Sequence, residues 1–444
     1  MKRVDVISIL AVMVIAGVIL VLVFQPRSGR ETYAGEDRTL ELFTIMGSVP
    51  LTDREVPGRW RTSRGVTADL SAQERERLAR LNAHPYLPGV RAAPVEHDVT
   101  TYDPDRAYDG INLFNSGHAP EASAMDMGGR VLHTWSFDIA DVWPEVPHTL
   151  HSEFWRRVHW YDNGDVLVIF EGIGMIKLDK DSNLLWAYRD ACHHQAVVTE
   201  DGKVYVLTRK AKMIPRLNKT DPVLEDAIDI LTPDGKLLER CSILESVENS
   251  EYARYLRFAT SYADLFHTNS IHVFDGSLAH ISPLYEEGNV LVSLLTLNLI
   301  GIIDVDERRM VWAERSRRNA GWIEQHDPIA LENGRLMVFD NRGYRQKSRV
   351  LEFDPFKRAI VWQYVGSSEE PFYSKTCGTN QRLPNGNTLI TESDNGRAFE
   401  VTPEGEIVWE FYNPFRAGEQ SQFIATLFEM RRVGKEHMDW LNEN

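Results

Sequence analysis

The chain repeats itself. From about residue 107 onward a loose unit recurs: an Asn-Gly or Asp-Gly type turn, a strand, a second strand ending near Asp, another turn, and a strand that carries Trp. Its fullest copies are DNGDVLVIFEGIGMIKLDKDSNLLWAYRD (162–190), EGNVLVSLLTLNLIGIIDVDERRMVWAERS (287–316), ENGRLMVFDNRGYRQKSRVLEFDPFKRAIVWQYV (332–365) and PNGNTLITESDNGRAFEVTPEGEIVWEFYN (384–413). Weaker copies lie at 111–138 and, split by an insertion, at 200–244, making about six. A lone four-stranded sheet cannot bury both faces, whereas a ring of such sheets buries each against its neighbours and leaves no long open edge. The repeat therefore predicts an all-β chain folded as a six-bladed β-propeller over residues 107–413. A stack of β-sandwich domains is the competing arrangement, and it explains the regular Trp spacing less well. Trp135, Trp186, Trp312, Trp362 and Trp409 fall near the end of a third-strand-like segment, where they read as blade-to-blade packing.

The flanks differ in texture. Residues 6–24, VISILAVMVIAGVILVLVF, are nineteen residues without a charge, close to the thickness of a bilayer's hydrocarbon core in helical form. No A-x-A-like cleavage site follows, so residues 1–30 are expected to be an N-terminal transmembrane signal anchor. Lys2 and Arg3 on one side face Arg27 and Arg30 on the other, and the positive-inside rule hardly votes on orientation. Residues 31–106 read as a stalk or strap with one short helix, opened by a capping box of Ser71 and Glu74. Residues 414–444 read as a helical tail.

Charge and cysteine usage exclude several functions. A formal net charge of −16 does not suit a nucleic-acid surface, so no nucleic-acid partner is expected. The three cysteines, Cys192, Cys241 and Cys377, have neither CxxC nor any other metal-ligand spacing. They imply no disulfide framework and no zinc site.

The histidines carry the functional signal. His194 and His326 each stand eight positions before a turn glycine, Gly202 and Gly334. In a propeller, residues ahead of the turn-strand signature converge from different blades onto one mouth of the central channel. His159, His194, His267 and His326 occupy such positions, as do Thr379 and Asn380. Such imidazoles could hold a transition metal, or serve as nucleophile, acid and base around a bound anion. Asn269, two residues after His267 and on the same face of an extended segment, would donate its amide to an anionic oxygen and tips the balance towards anion chemistry. Asp327 adjoins His326 and points away from it, so no tight His-Asp dyad is expected there.

The blocks HHQAVVTEDGKVYVL, DLFHTNSIHVFDG, QHDPIALENGRLMVFDN and GTNQRLPNGNTLITES together make residues 107–413 resemble the bacterial arylsulfotransferases. These enzymes move a sulfuryl group from a phenolic sulfate ester to another phenol without a nucleotide sulfate donor. The resemblance implies a six-bladed propeller on the periplasmic or extracellular side, a small aromatic sulfate donor, a phenol acceptor and no metal or cofactor. It casts His326 as a nucleophile that becomes a transient sulfohistidine. His267 and Asn269 would bind the sulfate oxygens and assist the leaving phenol, with His194 completing the pocket. Two departures stand out. The strand after the HxNS block, VLVSLLTLNLIGIID, lacks the family's arginine, for which Arg209, Arg342 and Arg345 are the substitutes on offer; and Gln195 replaces the usual acidic residue after the double histidine. The alternative is a noncatalytic propeller serving as a scaffold with a protein partner in the cell envelope.

Overall fold

The computed structural model describes residues 60–62, 97–146, 152–259, 263–316, 321–344, 347–417, 421 and 423–442. The expected anchor over 1–30 and the capping box at Ser71 lie outside these residues. Among the described residues no helix is long and apolar enough to cross a membrane.

Six antiparallel sheets form the six blades, and in the second to fifth each blade is four consecutive strands running from the axis outward. The second blade shows the pattern: Arg157–Trp160 innermost, then Val166–Phe170, Gly174–Leu178 and, outermost, Leu184–Tyr188. Its second strand, VLVIF, is buried on both faces, while the outermost, LLWAY, alternates in exposure. That is the gradient expected of a sheet sandwiched between two neighbours and wet only at its outer edge. Blades three, four, five and six begin with inner strands Cys192–Val198, Thr268–Val273, His326–Ala330 and Thr379–Arg382.

The core is a ring of layers between blades. One apolar cluster joins each successive pair: Val166 and Ile176 meet Ala124 and Trp135, Leu207 and Ile228 meet Val292 and Leu299, and so on until Leu389 and Trp409 meet Phe114 and Met430. The recurrent tryptophans are the rivets, and they sit in the fourth strands of their blades. Trp135 donates its indole N–H to the carbonyl of Gly164 in the next blade (2.9 Å), Trp186 to Pro233 (3.1 Å), Trp362 to Pro403 (2.9 Å) and Trp409 to Met127 (2.9 Å). Gly235, at φ +79°, lies under Trp186, where a Cβ would come within 2.5 Å of the indole. Only glycine admits both that backbone and that approach.

The ends correct the expected boundaries. Residues 414–444 are not simply a helical tail, because Leu427–Val433 is a strand. It pairs with Ile111–Ser116 as the innermost strand of the first blade, whose other three strands come from the start of the propeller. A helical turn follows only at Lys435–Asn442. The segment before 107 contributes as well: Asp98–Tyr102 pairs with Ile407–Tyr412 as a fifth strand on the sixth blade. Trp60–Thr62 pairs with Phe423–Ala425 in a small separate sheet. The ring is thus closed by hydrogen-bonded strands from both ends of the chain.

Candidate active site

Four of the six inner strands are irregular near their start. Register shifts fall between Cys192 and Ala196, Thr268 and Ser270, His326 and Ile329, and Leu427 and Glu429. A bulge inserts an extra residue and re-aims the side chains around it. Here the residues so placed include His193, His194, Asn269, Asp327 and Phe428. His194, His267 and Asp327 also adopt left-handed backbone, at φ of 53°, 47° and 48°. Strain of this kind costs on the order of 1–3 kcal/mol per residue and concentrates where side-chain direction matters.

Two of the anticipated histidines are in contact, and the charge of one of them, His267, is felt at the third, His326. The rings of His194 and His267 meet edge to face with centroids 5.1 Å apart. His194 Nδ1 lies 2.9 Å from His193 Nδ1 and 3.3 Å from a carboxylate oxygen of Glu171. His326 is buried and titrates at about 3, because burial disfavours its charged form and the Arg156 guanidinium and His267 push the same way. The same causes, burial first and then Arg156, hold His194 far below the ordinary histidine range.

The hydrogen bonds around His326 fix its tautomer. Asn341 donates its amide to the carbonyls of Ser374 (2.9 Å) and Cys377 (2.7 Å), so its Oδ1 faces His326 Nδ1 at 2.9 Å. The other neighbour of Nδ1 is the Glu324 carbonyl at 3.1 Å. Both partners are acceptors, so Nδ1 carries the proton and Nε2 keeps a lone pair. His267 has a different environment. Its Nδ1 is 2.6 Å from the Asp264 carboxylate. Although burial opposes ionisation, the hydrogen bond from His267 and the charges of His267 and Arg209 hold the Asp264 carboxyl well below its usual range. A His-Asp dyad therefore exists at His267 rather than at His326, and it orients that imidazole for proton transfer.

Other anticipated residues have structural partners. Asn269 donates to the Gln325 carbonyl at 2.8 Å, bracing the strand that presents His326. The Thr379 hydroxyl bonds to Thr391 at 2.8 Å. Asn380 binds Asp327 through its backbone N–H and its amide, both at 2.9 Å. His159 packs edge-on against Tyr161 and is lowered to about 4, chiefly by burial and with Glu429, Asp162 and Lys177 as its charged neighbours. His159, Thr379 and Asn380, expected to line the site, thus contact other residues than the three histidines. Counting back from the turn glycine explains His159: eight positions before Gly164 stands Arg156. Asp327, as anticipated, turns from His326. It joins a buried ionic network in which Arg431 reaches Asp327 (3.1 Å) and Glu429 (2.6 Å) and Arg157 pairs with Glu429, so that the first, second, fifth and sixth blades are tied together.

Arg156, Glu171, His193, Asp226 and Asp264 were not singled out by sequence. Arg156 shares the offset of His194 and His326 but is not a histidine. Glu171 supplies, from the second blade, a carboxylate at His194; Gln195, where the family has an acid, instead accepts the Ile271 backbone N–H at 3.3 Å. Of the proposed substitute arginines, Arg209 is buried and bonds Asp226 at 3.0 Å, Arg342 is occupied by Glu324 at 2.6 Å, and Arg345 lies outside the described residues. Glu171, His193 and His194 hold donor atoms within 4.8 Å of one another, close enough for one metal ion. Arg156, 3.2 Å from Glu171, and Arg209 nearby raise the cost of placing a cation there.

Geometry and fold together define a six-bladed propeller with an imidazole-rich, arginine-flanked cluster at the entries of its inner strands. The family model of arylsulfotransferase (ASST) matches residues 157–414, more than half of the chain. The chain belongs to the arylsulfotransferase family. No curated protein matches it. Similar solved structures include a protein of unknown function from Bacteroides caccae, 13% identical, covering 73% of this chain and 98% of that one with a TM-score of 0.48. Others are virginiamycin B lyase from Staphylococcus aureus (10% identical, 75% and 99% covered, TM-score 0.39) and BamB from Moraxella catarrhalis (11% identical, 77% and 97% covered, TM-score 0.35).

Proposed function

We propose that the protein is a membrane-anchored arylsulfotransferase that passes a sulfuryl group between phenols through His326. The observation that carries this reading is the His326 tautomer: a buried, neutral imidazole with Nδ1–H bonded to two acceptors and Nε2 left as the nucleophile. In the first half-reaction the Nε2 lone pair attacks sulfur, the bond from sulfur to the aryl oxygen breaks, and the departing phenolate takes a proton from His267. In the second, an acceptor phenol gives its proton to His267 and attacks sulfur as the nitrogen–sulfur bond breaks. Asp264 steadies the imidazolium form that His267 has before the first step and regains in the second. The donor is an aromatic sulfate ester, the acceptor a phenol, and the scheme needs no metal. The apolar segment 6–24 supports anchoring, with the propeller outside the cytoplasmic membrane.

Mass spectrometry of the protein after incubation with an activated aryl sulfate tests this directly. An adduct of about 80 Da on His326, absent in His326→Ala together with turnover, is the expected result. No adduct and no phenol release across several donors would sink the catalytic reading and favour a noncatalytic envelope scaffold.

A further inference from the structure

We propose that Arg156 and Arg209, from neighbouring blades, together form the anion clamp that grips the sulfuryl oxygens, in place of the arginine missing from the fourth blade. The proposal rests on the sulfuryl-transfer reading and names residues for its unassigned electrostatic part.

The missing group is a real deficit. A sulfuryl transfer spreads negative charge over oxygens that need donors already in place, and neutral imidazoles alone provide few. In the fourth blade the strand after the HxNS block, Val290–Leu294, is wholly buried and apolar apart from Ser293. Ser293 is itself engaged with Gln325, donating its hydroxyl to the Gln325 carbonyl and accepting from the Gln325 amide.

The two arginines have the required properties. Both are buried, and each is held through Nε by one carboxylate: Arg156 by Glu171 at 3.2 Å and Arg209 by Asp226 at 3.0 Å. Asp226 is anchored in turn by the Thr268 backbone N–H at 2.8 Å, immediately after His267. Arg156 lies over the Phe428 ring with Cζ 5.3 Å from its centroid, a cation–π contact that helps hold the side chain. Among the described residues Arg209 Nη2 is buried with no hydrogen-bond partner. An unsatisfied buried guanidinium N–H is costly unless a ligand meets it. The contacts also connect the pair to the chemistry. Glu171 touches both Arg156 and His194, His194 packs on His267, and the charge of Arg156 is felt at His194 and His326. The charge of Arg209 is felt at His193 and His194. Carboxylates on the Nε edges position both side chains without occupying Arg209 Nη2.

Calorimetric titration of the full chain with inorganic sulfate provides the test, run beside adduct formation with an aryl sulfate. Wild type should bind sulfate saturably, and Arg156→Gln and Arg209→Gln should each weaken binding roughly tenfold or more and slow His326 labelling. The lysine variants, which keep the charge but lose the planar fork, should fall between; they decide the matter if a glutamine variant fails to fold. Folded variants that bind sulfate within twofold of wild type, or a wild type that binds none, would overturn the clamp. Failure of the underlying reading looks different. Intact, arginine-dependent sulfate binding by the wild type without any adduct on His326 would refute the covalent reading and leave the clamp standing. Normal labelling in both arginine variants would do the reverse.

Discussion

Consider the pH dependence of the first half-reaction. An imidazole with the ordinary value of 6.5 is only about 3% neutral at pH 5. His326, lowered to about 3, remains about 99% neutral there, a roughly thirtyfold larger population of nucleophile. The shift has a sign that matters: a depressed histidine value removes the acidic limb from the mildly acid range and moves it towards pH 3. The assay is a single-turnover measurement with protein in excess over an activated aryl sulfate, whose phenolate leaves without a proton, so that His267 drops out of the rate. Phenol release should change less than about twofold between pH 7.5 and 5. The same depression weakens the fold at low pH, because the unfolded chain takes up a proton below 6.5 that the folded chain refuses. By pH 5 that cost is about 2 kcal/mol from His326 alone, and the likewise depressed His159 and His194 add to it, so circular dichroism at each pH must accompany the rates to show that the protein is folded. A rate that falls tenfold for each unit below about 6.5, in protein that remains folded, would mean that the attacking imidazole is solvated and that the buried Nδ1-protonated geometry is not the reactive one.

The remaining expectations use other parts of the structure. Asp264→Asn should slow transfer from unactivated phenol sulfates by roughly 10²-fold or more while sparing activated donors, since it disables proton delivery through His267; equal losses with both donors would argue against that role. Glu429→Gln, which leaves Arg157 and Arg431 short of a buried partner, should cost about 3–5 kcal/mol in denaturant unfolding, and a change under about 1 kcal/mol would show that the channel network is dispensable. Deleting residues 427–444 should abolish cooperative unfolding, because it removes the innermost strand of the first blade. Dialysis against a chelator should leave single-turnover rates unchanged; activity lost and then restored by zinc would assign Glu171, His193 and His194 to a metal.

The propeller was legible because its repeat is a packing requirement written six times. Trp135, Trp186, Trp362 and Trp409 each need a turn carbonyl in the next blade, and each blade needs a turn glycine of positive φ, so local sequence and global closure carry the same signal. The closing strand was not legible. LFEMRRV mixes two arginines and a glutamate into a segment that reads as helix-compatible in isolation. Glu429 and Arg432 are buried and Arg431 half-buried, and Arg431 and Glu429 pair with one another and with residues of other blades, information that no local window contains. The site divided in the same way. His194, His267 and His326 were found through their own type and position, whereas Glu171 and Asp264 act through contacts that depend on bulges and left-handed turns.

His159 shows why the offset from the turn outweighs residue type. An inner strand has one entrance, and side chains two or three positions further along face a different depth of the channel. His159 accordingly keeps company with Glu429 and Lys177, while Arg156, three residues earlier, reaches Glu171 and the histidines. The same geometry explains how an arginine can vanish from one blade without emptying the pocket. The start of an inner strand is paired with the end of the strand beside it, as Cys192 is with Thr208, so a guanidinium arriving from the second or third blade can meet the same oxygens as one from the fourth. What must be preserved is the position of the charge at the axis, and the ring offers several strands from which to supply it.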